Sequence, residues 1–144
     1  MTIDDIMENW SKDSEIDRTN LGESSLGIAK LHHKYYSMYV GEKMRVRVLE
    51  YEYAELKLAK HEFYTQGHTQ ETLSKGWKLP PKGMILKSDL PMYMDADPDI
   101  MALSFKIGIQ QEKISALDSI IKTFRERGWN IRNFIEYEKF RAGV

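Results

Sequence analysis

The chain has 144 residues, 21 Lys plus Arg against 22 Asp plus Glu, four His and no Cys, for a formal net charge of -1. That length makes one domain with one core the default, and the absence of Cys excludes a disulfide framework, a thiolate metal site and a cysteine nucleophile. A hydrophobic content of 42% with 30% charged residues is too apolar for a disordered chain and too polar for a membrane bundle.

The start, Met1-Thr2-Ile3-Asp4-Asp5, lacks a basic region followed by an apolar one. No stretch reaches the ~18 apolar residues of a spanning helix. A soluble intracellular protein is expected. Ile3, Ile6, Met7 and Trp10 predict a short amphipathic helix, with Thr2 as N-cap and the Asp pair in its first turn. Ser11 to Asn20 is a polar connection. Leu21 to Gln66 contains no Pro and predicts a long helix. Ile28, Leu31, Tyr35 and Met38 form its first seam, and Val46, Leu49, Tyr53, Leu56 and Phe63 form the second. A bend near Gly41 is expected to shift the seam, since a strict heptad would place Glu42 and Arg45 in it. Gly67 to Pro98 holds all four prolines and reads as irregular, with short strands expected at Met84-Ile85-Leu86 and Met92-Tyr93-Met94.

Asp97-Pro98 is a helix start, N-cap followed by N1. Ile100, Ile107, Ile114 and Ile121 then fall at heptad position a, and Leu103, Gln110, Leu117 and Phe124 at d. Gln110 is the polar d residue suited to fixing register. This seam supports either self-association or packing inside the subunit against the long first helix. The scarcity of material for a separate core favours self-association. Gly128 is expected to end the helix, leaving Trp129 to Ala142 as a tail helix. The fold class is mainly α: long N-terminal helices, an irregular middle, and a coiled-coil-like oligomerisation helix with its tail.

The near-neutral mean hides an uneven distribution of charge. Residues 1 to 20 sum to -4, residues 21 to 94 to +3 and residues 95 to 144 to zero. On a helix, Lys43, Arg47 and Lys57 lie within a stripe of roughly 80°. Lys60 follows one turn after Lys57, and Tyr64 one turn later. Trp77 then sits between Lys75 and Lys78, with Lys82 beyond. Cations follow phosphates and aromatic faces stack on unpaired bases, so this interleaving suits single-stranded nucleic acid. Packing aromatics among surface lysines are the plain alternative.

Catalytic signals are absent. His32 and His33 point about 100° apart on a helix. His61 has no H-E-x-x-H continuation and His68 stands alone. No Walker A, G-x-S-x-G or G-x-G-x-x-G run occurs. Asp95, Asp97 and Asp99 lack the Gly and terminal Glu of a calcium loop. No cofactor or metal is called for, and a metal-dependent nuclease has no carboxylate cluster to support it.

Several stretches resemble the phage UvsY-type recombination mediators. The likeness rests on Ile3-Asp4-Asp5, Lys12-Asp13, Ile16-Asp17, Thr19 and Leu21 near the start. It continues in Arg127-Gly128-Trp129-Asn130-Ile131, Phe140, Ala142 and Gly143 near the end. The resemblance implies a non-enzymatic protein of DNA recombination, repair and replication in the cytoplasm of the infected host cell. It implies binding to single-stranded DNA, and contacts with a RecA-like recombinase and with the phage single-strand-binding protein that the recombinase displaces. It also implies a ring of six or seven subunits in which the C-terminal helical region is important. The family's Lys-Ala-Arg-Leu contact motif corresponds here to Lys57-Leu58-Ala59-Lys60-His61. Lys60 stands at the Arg position, and Leu58 at the Lys position with Lys57 before it. Lys for Arg gives up the bidentate fork to phosphate. The loop lysines Lys75, Lys78 and Lys82 are candidates to compensate.

The expected organisation is therefore one compact subunit. Residues 1–96 bind DNA, with an irregular basic segment at 67–96. Residues 97–144 oligomerise through Ile100, Leu103, Ile107, Ile114, Leu117, Ile121 and Phe124. The alternative is an oligomeric helical scaffold without DNA affinity.

Overall fold

The computed structural model describes all 144 residues, and helix is its only regular secondary structure. Its elements are α1 (Ile3–Asp13), α2 (Leu21–Leu26), α3 (Ile28–Gln66), α4 (Gln70–Ser74), α5 (Leu90–Asp95) and α6 (Pro98–Arg141). No helix is long and apolar enough to cross a membrane. The chain forms two compact units: Met1–Met44 with Gln110–Val144, and Arg45–Ile109.

In the first unit, α1 opens on a capping box. Thr2 Oγ1 accepts from the Asp5 N–H at 3.1 Å, and Asp5 accepts from the Thr2 N–H at 2.7 Å. The core joins Ile6 of α1, Tyr35 of α3, and Leu117, Ile120 and Phe124 of α6. Trp10 meets Tyr35 and Phe124 edge-on, with ring centroids 5.7 and 5.5 Å away. Arg127 closes the other end of α1. Its guanidinium donates to the Asp13 and Glu15 carbonyls at 2.7 and 2.8 Å, which supplies partners to oxygens a helix end leaves open.

Glu42 does enter the seam, where it is 2% exposed. Gln110 makes this tolerable: its Nε2 donates to the Glu42 carboxylate and, at 3.3 Å, to the Glu42 carbonyl. Lys113 Nζ stands 3.9 Å from the same carboxylate. A buried charge that is paired and hydrogen-bonded can remain in a core. Gln110 thus sets register between two helices of one chain. The seam shifts only after Glu42: Val46 is buried while Arg45 is exposed, and α3 runs unbroken through Gly41.

In the second unit, Phe63 and Tyr64 of α3, Leu90 and Met94 of α5, and Ile100 of α6 form the core. Ile85 and Trp77 pack against it. The two expected strands are not formed. Met84-Ile85-Leu86 lies in an irregular turn-rich segment, and Met92-Tyr93-Met94 lies within α5. The Ile85 N–H donates to the Tyr64 carbonyl at 3.2 Å, so the apolar triplet docks on a helix end instead of pairing with a strand.

The separate tail helix is also absent, because α6 continues through Gly128 to Arg141. Gly128 has no positive φ, the conformation a terminating glycine would need. Arg127 and buried Ile131 hold the flanking turns against the first unit. A Cβ at Gly128 would meet nothing within 4 Å. Gly128→Ala should therefore stabilise the protein by about 0.5–1 kcal/mol, read as a higher urea midpoint at fixed protein concentration. A lower midpoint would indicate a helix end at this residue.

Candidate nucleic-acid interface

The C-terminal end of α3 and the start of α6 meet around one carboxylate in the second unit. Asp97 is the N-cap of α6, and its Oδ1 accepts the Asp99 and Ile100 N–H groups, each at 3.0 Å. Its Oδ2 accepts the Tyr64 hydroxyl at 2.5 Å and lies 3.0 Å from Lys60 Nζ. Asp99 holds the same ammonium at 2.7 Å. Above it lies the Trp77 ring, with its centroid 3.9 Å from Nζ, and Phe63 meets Trp77 edge-on at 5.3 Å. Lys60 is 3% exposed and Asp97 2%.

Burial pushes the Asp97 carboxyl up, but the Tyr64 hydroxyl, the Ile100 N–H and the Lys60 ammonium outweigh it and leave the group below the ordinary carboxylate range. The Tyr64 hydroxyl is pushed up by burial and by its bond to Asp97. The Asp95, Asp97, Asp99 alternation is thus a helix start joined to an internal ion pair. No group of three or more His, Cys, Asp and Glu is arranged to hold a metal ion.

The structure brings Lys60, Tyr64 and Trp77 together, with Lys60 and Tyr64 buried in the core and Trp77 half-buried against it. Lys60 lies about 60° around α3 from Lys57, toward the core. A phosphate contact by Lys60 would break two ion pairs. The other candidates lie outside. Lys43, Arg47 and Lys57 are exposed on α3, with Lys43 over the Tyr39 ring at 5.1 Å and Lys57 near Tyr53 at 5.9 Å. Lys75 pairs with Glu71 at 3.2 Å and lies 5.1 Å from the Trp77 centroid. Lys78 and Lys82 are exposed around the Pro80-Pro81 turn. Arg47, Lys57, Lys78 and Lys82 have no carboxylate within ion-pair reach, so their charge is open to a ligand.

The a and d residues of α6 face inward. Leu117 and Phe124 lie in the first unit's core, with Ile121 packed against it, and Ile100 lies in the second. Leu103, Ile107 and Ile114 are half-buried. Ile100, Leu117 and Phe124 thus pack within the chain. Pattern reading missed a second set of apolar residues. In the second unit, Val48, Tyr51 and Leu58 of α3 are 55%, 69% and 61% exposed, and Met101, Phe105 and Ile109 of α6 are 55%, 72% and 42% exposed. Each set recurs at helical spacing, roughly opposite its own helix's buried face. That out-of-phase spacing was available in the sequence.

This is an all-α protein with unpaired cations on α3 and on a proline-rich turn, and with the buried Lys60 and Asp97 paired to each other. The family model "Recombination, repair and ssDNA binding protein UvsY" matches residues 9–144, and the chain belongs to that family. It is a recombination and repair protein that binds single-stranded DNA. Among solved structures, the chain is similar to the bacteriophage T4 recombination mediator protein UvsY in three crystal forms. In lattice type IV the TM-score is 0.80 at 16% identity, covering 98% of this chain and 99% of that one. In lattice type II it is 0.80 at 19%, covering 99% and 98%. In lattice type I it is 0.82 at 17%, covering 95% and 98%. No curated protein matches the chain.

Asp97 has a depressed folded pKa, so the stability it confers is complete above its unfolded value near 3.8 and is lost as pH falls through the folded one. Asp97→Asn keeps a capping oxygen but removes the charge beside Lys60. It should cost on the order of 3 kcal/mol at pH 7 and make acid unfolding shallower than in the wild type. Urea melts between pH 3 and pH 7 measure both effects.

Proposed function

We propose that the chain is a recombination mediator that loads a RecA-like recombinase onto single-stranded DNA in place of the single-strand-binding protein. The observation that carries the DNA-contact assignment is the set of open cations in the second unit: Arg47 and Lys57 on α3, with Lys78 and Lys82 on the turn. Lys60, Tyr64 and Trp77 act as positioning residues that hold the C-terminal end of α3 and the turn in place. The chemistry is charge neutralisation and base stacking, with no bond made or broken.

The assembly follows from the outward apolar residues. Exposed apolar side chains recurring along one helix face support an interaction site there. One patch lies on α3 and a different one on α6, facing opposite ways within the second unit. A second copy can place its α3 patch on the α6 patch of the first, a heterologous contact that generates a ring where its rotation closes. A ring of six or seven subunits is in keeping with the family resemblance. Ile100, Leu103 and Ile107, on the inward face of α6 in the second unit, support that interface from behind. A modest site repeated around a ring gains avidity, so a subunit of net charge -1 can bind a polyanion.

Arg47→Ala with Lys57→Ala should leave stability unchanged within about 0.5 kcal/mol. It should also lower the salt slope of oligo-dT binding by about 0.7 for each phosphate that is no longer neutralised, read by fluorescence anisotropy. An unchanged affinity and slope would remove these two residues from the site. Val48→Asp or Phe105→Asp should dissociate the assembly into smaller helical species in sedimentation. An unchanged mass would place the interface elsewhere.

A further inference from the structure

The stretch Arg127-Gly128-Trp129-Asn130-Ile131 is only partly explained by the fold. Arg127 clamps the end of α1, and Ile131 is 3% exposed in the first unit. Trp129 has no such role, being 62% exposed. The other two tryptophans, Trp10 and Trp77, pack against the cores of their units. An indole left in water is costly unless something covers it.

Its surroundings indicate what does. Arg125, Trp129 and Arg132 recur at i, i+4 and i+7, on one side of α6. They line an open hollow of about 550 Å³ whose far wall includes Ser25. The Arg132 guanidinium lies 5.6 Å from the Trp129 ring centroid. Neither Arg125 nor Arg132 has a carboxylate within ion-pair reach. Glu136, the acid on the rim, stands 3.9 Å from Lys139. The hollow therefore presents two open guanidinium groups, whose backbone anchors are roughly 10 Å apart along the helix, on either side of an exposed aromatic face.

The geometry points to a second contact for single-stranded DNA in this hollow: one base stacks on Trp129, and Arg125 and Arg132 hold the flanking phosphates. An acidic protein segment would satisfy the two arginines but would leave the indole face without a planar partner. A nucleotide satisfies both. Guanidinium forks match phosphate geometry, and stacking on an aromatic face tolerates any base. The inference rests on the reading that this chain binds single-stranded DNA. It adds to the open cations of α3 and the proline-rich turn a contact that those residues do not supply.

The test uses the full-length protein and a fluorescent oligo-dT strand, titrated at several salt concentrations beside a mass measurement in solution. Trp129→Ala should weaken binding by roughly tenfold or more, and Trp129→Phe should recover most of the loss. Arg125→Ala with Arg132→Ala should lower the salt slope by about 1.4 per engaged subunit, two phosphates at about 0.7 each. The mass of the assembly should be unchanged in all three. Unchanged affinity and slope in a wild-type background that binds DNA would overturn this site and leave the functional reading intact. Affinity that falls only where the mass falls would reassign the hollow to subunit contact and also overturn it. A wild type without salt-dependent binding would overturn the functional reading and this contact with it.

Discussion

The bonds around Asp97 organise the second unit. One carboxylate caps α6, accepts the Tyr64 hydroxyl and neutralises Lys60, so the start of one long helix is fixed to the end of another. Each part of this depends on the rest. Without Lys60 the buried carboxylate loses its counter-ion, and without Asp97 the ammonium retains only Asp99, whose side chain is half exposed. Such a pair adds little over an apolar isostere, but breaking it by removing one partner is strongly destabilising. It also determines which cations remain open. Trp77 is held by Lys60 and Phe63, and the chain then leads into the turn that carries Lys78 and Lys82.

Much of the architecture is legible in the residues. Thr2 with Asp5, and Asp97 with Pro98, are local signals whose hydrogen bonds form within a few residues, so a short stretch of chain contains both partners. The Ile and Leu heptads mark the inward face of α6, but period alone does not say whether that face meets another copy or the same chain. Leu117 and Phe124 meet Tyr35 and Ile6 of their own subunit. Gly128 suggests a stop because glycine is a poor helix former, and tertiary contacts from Arg127 and Ile131 override that weak preference. The apolar triplets at 84–86 and 92–94 suggest strands, since short apolar runs do not distinguish a strand from a buried turn of helix.

The site is less legible than the fold. The basic and aromatic residues between Lys43 and Lys82 are visible as a run, but their division into open and paired groups depends on partners far away in sequence. Lys60 meets Asp97 and Asp99 across more than 30 positions. The likeness to the Lys-Ala-Arg-Leu motif places Lys60 among the contact residues, whereas its direction on the helix places it inside. Trp129 stands out in the sequence only as part of a matching stretch. Its exposure, and the two unpaired arginines beside it, appear only once the helix is seen to continue.

Net charge is a poor guide for this molecule. Some charges of each sign are tied up in capping and pairing, while Arg47, Lys57, Lys78 and Lys82 remain free. The central claim is that these free cations, repeated around an assembly, bind single-stranded DNA. The most direct measurement is an oligo-dT titration of the wild-type protein across a salt series, with its mass in solution determined under the same conditions. The expected result is a mass several times 16.9 kDa and an affinity that falls steeply with salt, by more than one subunit's cations can supply. A 16.9 kDa species, or binding indifferent to salt, would contradict it.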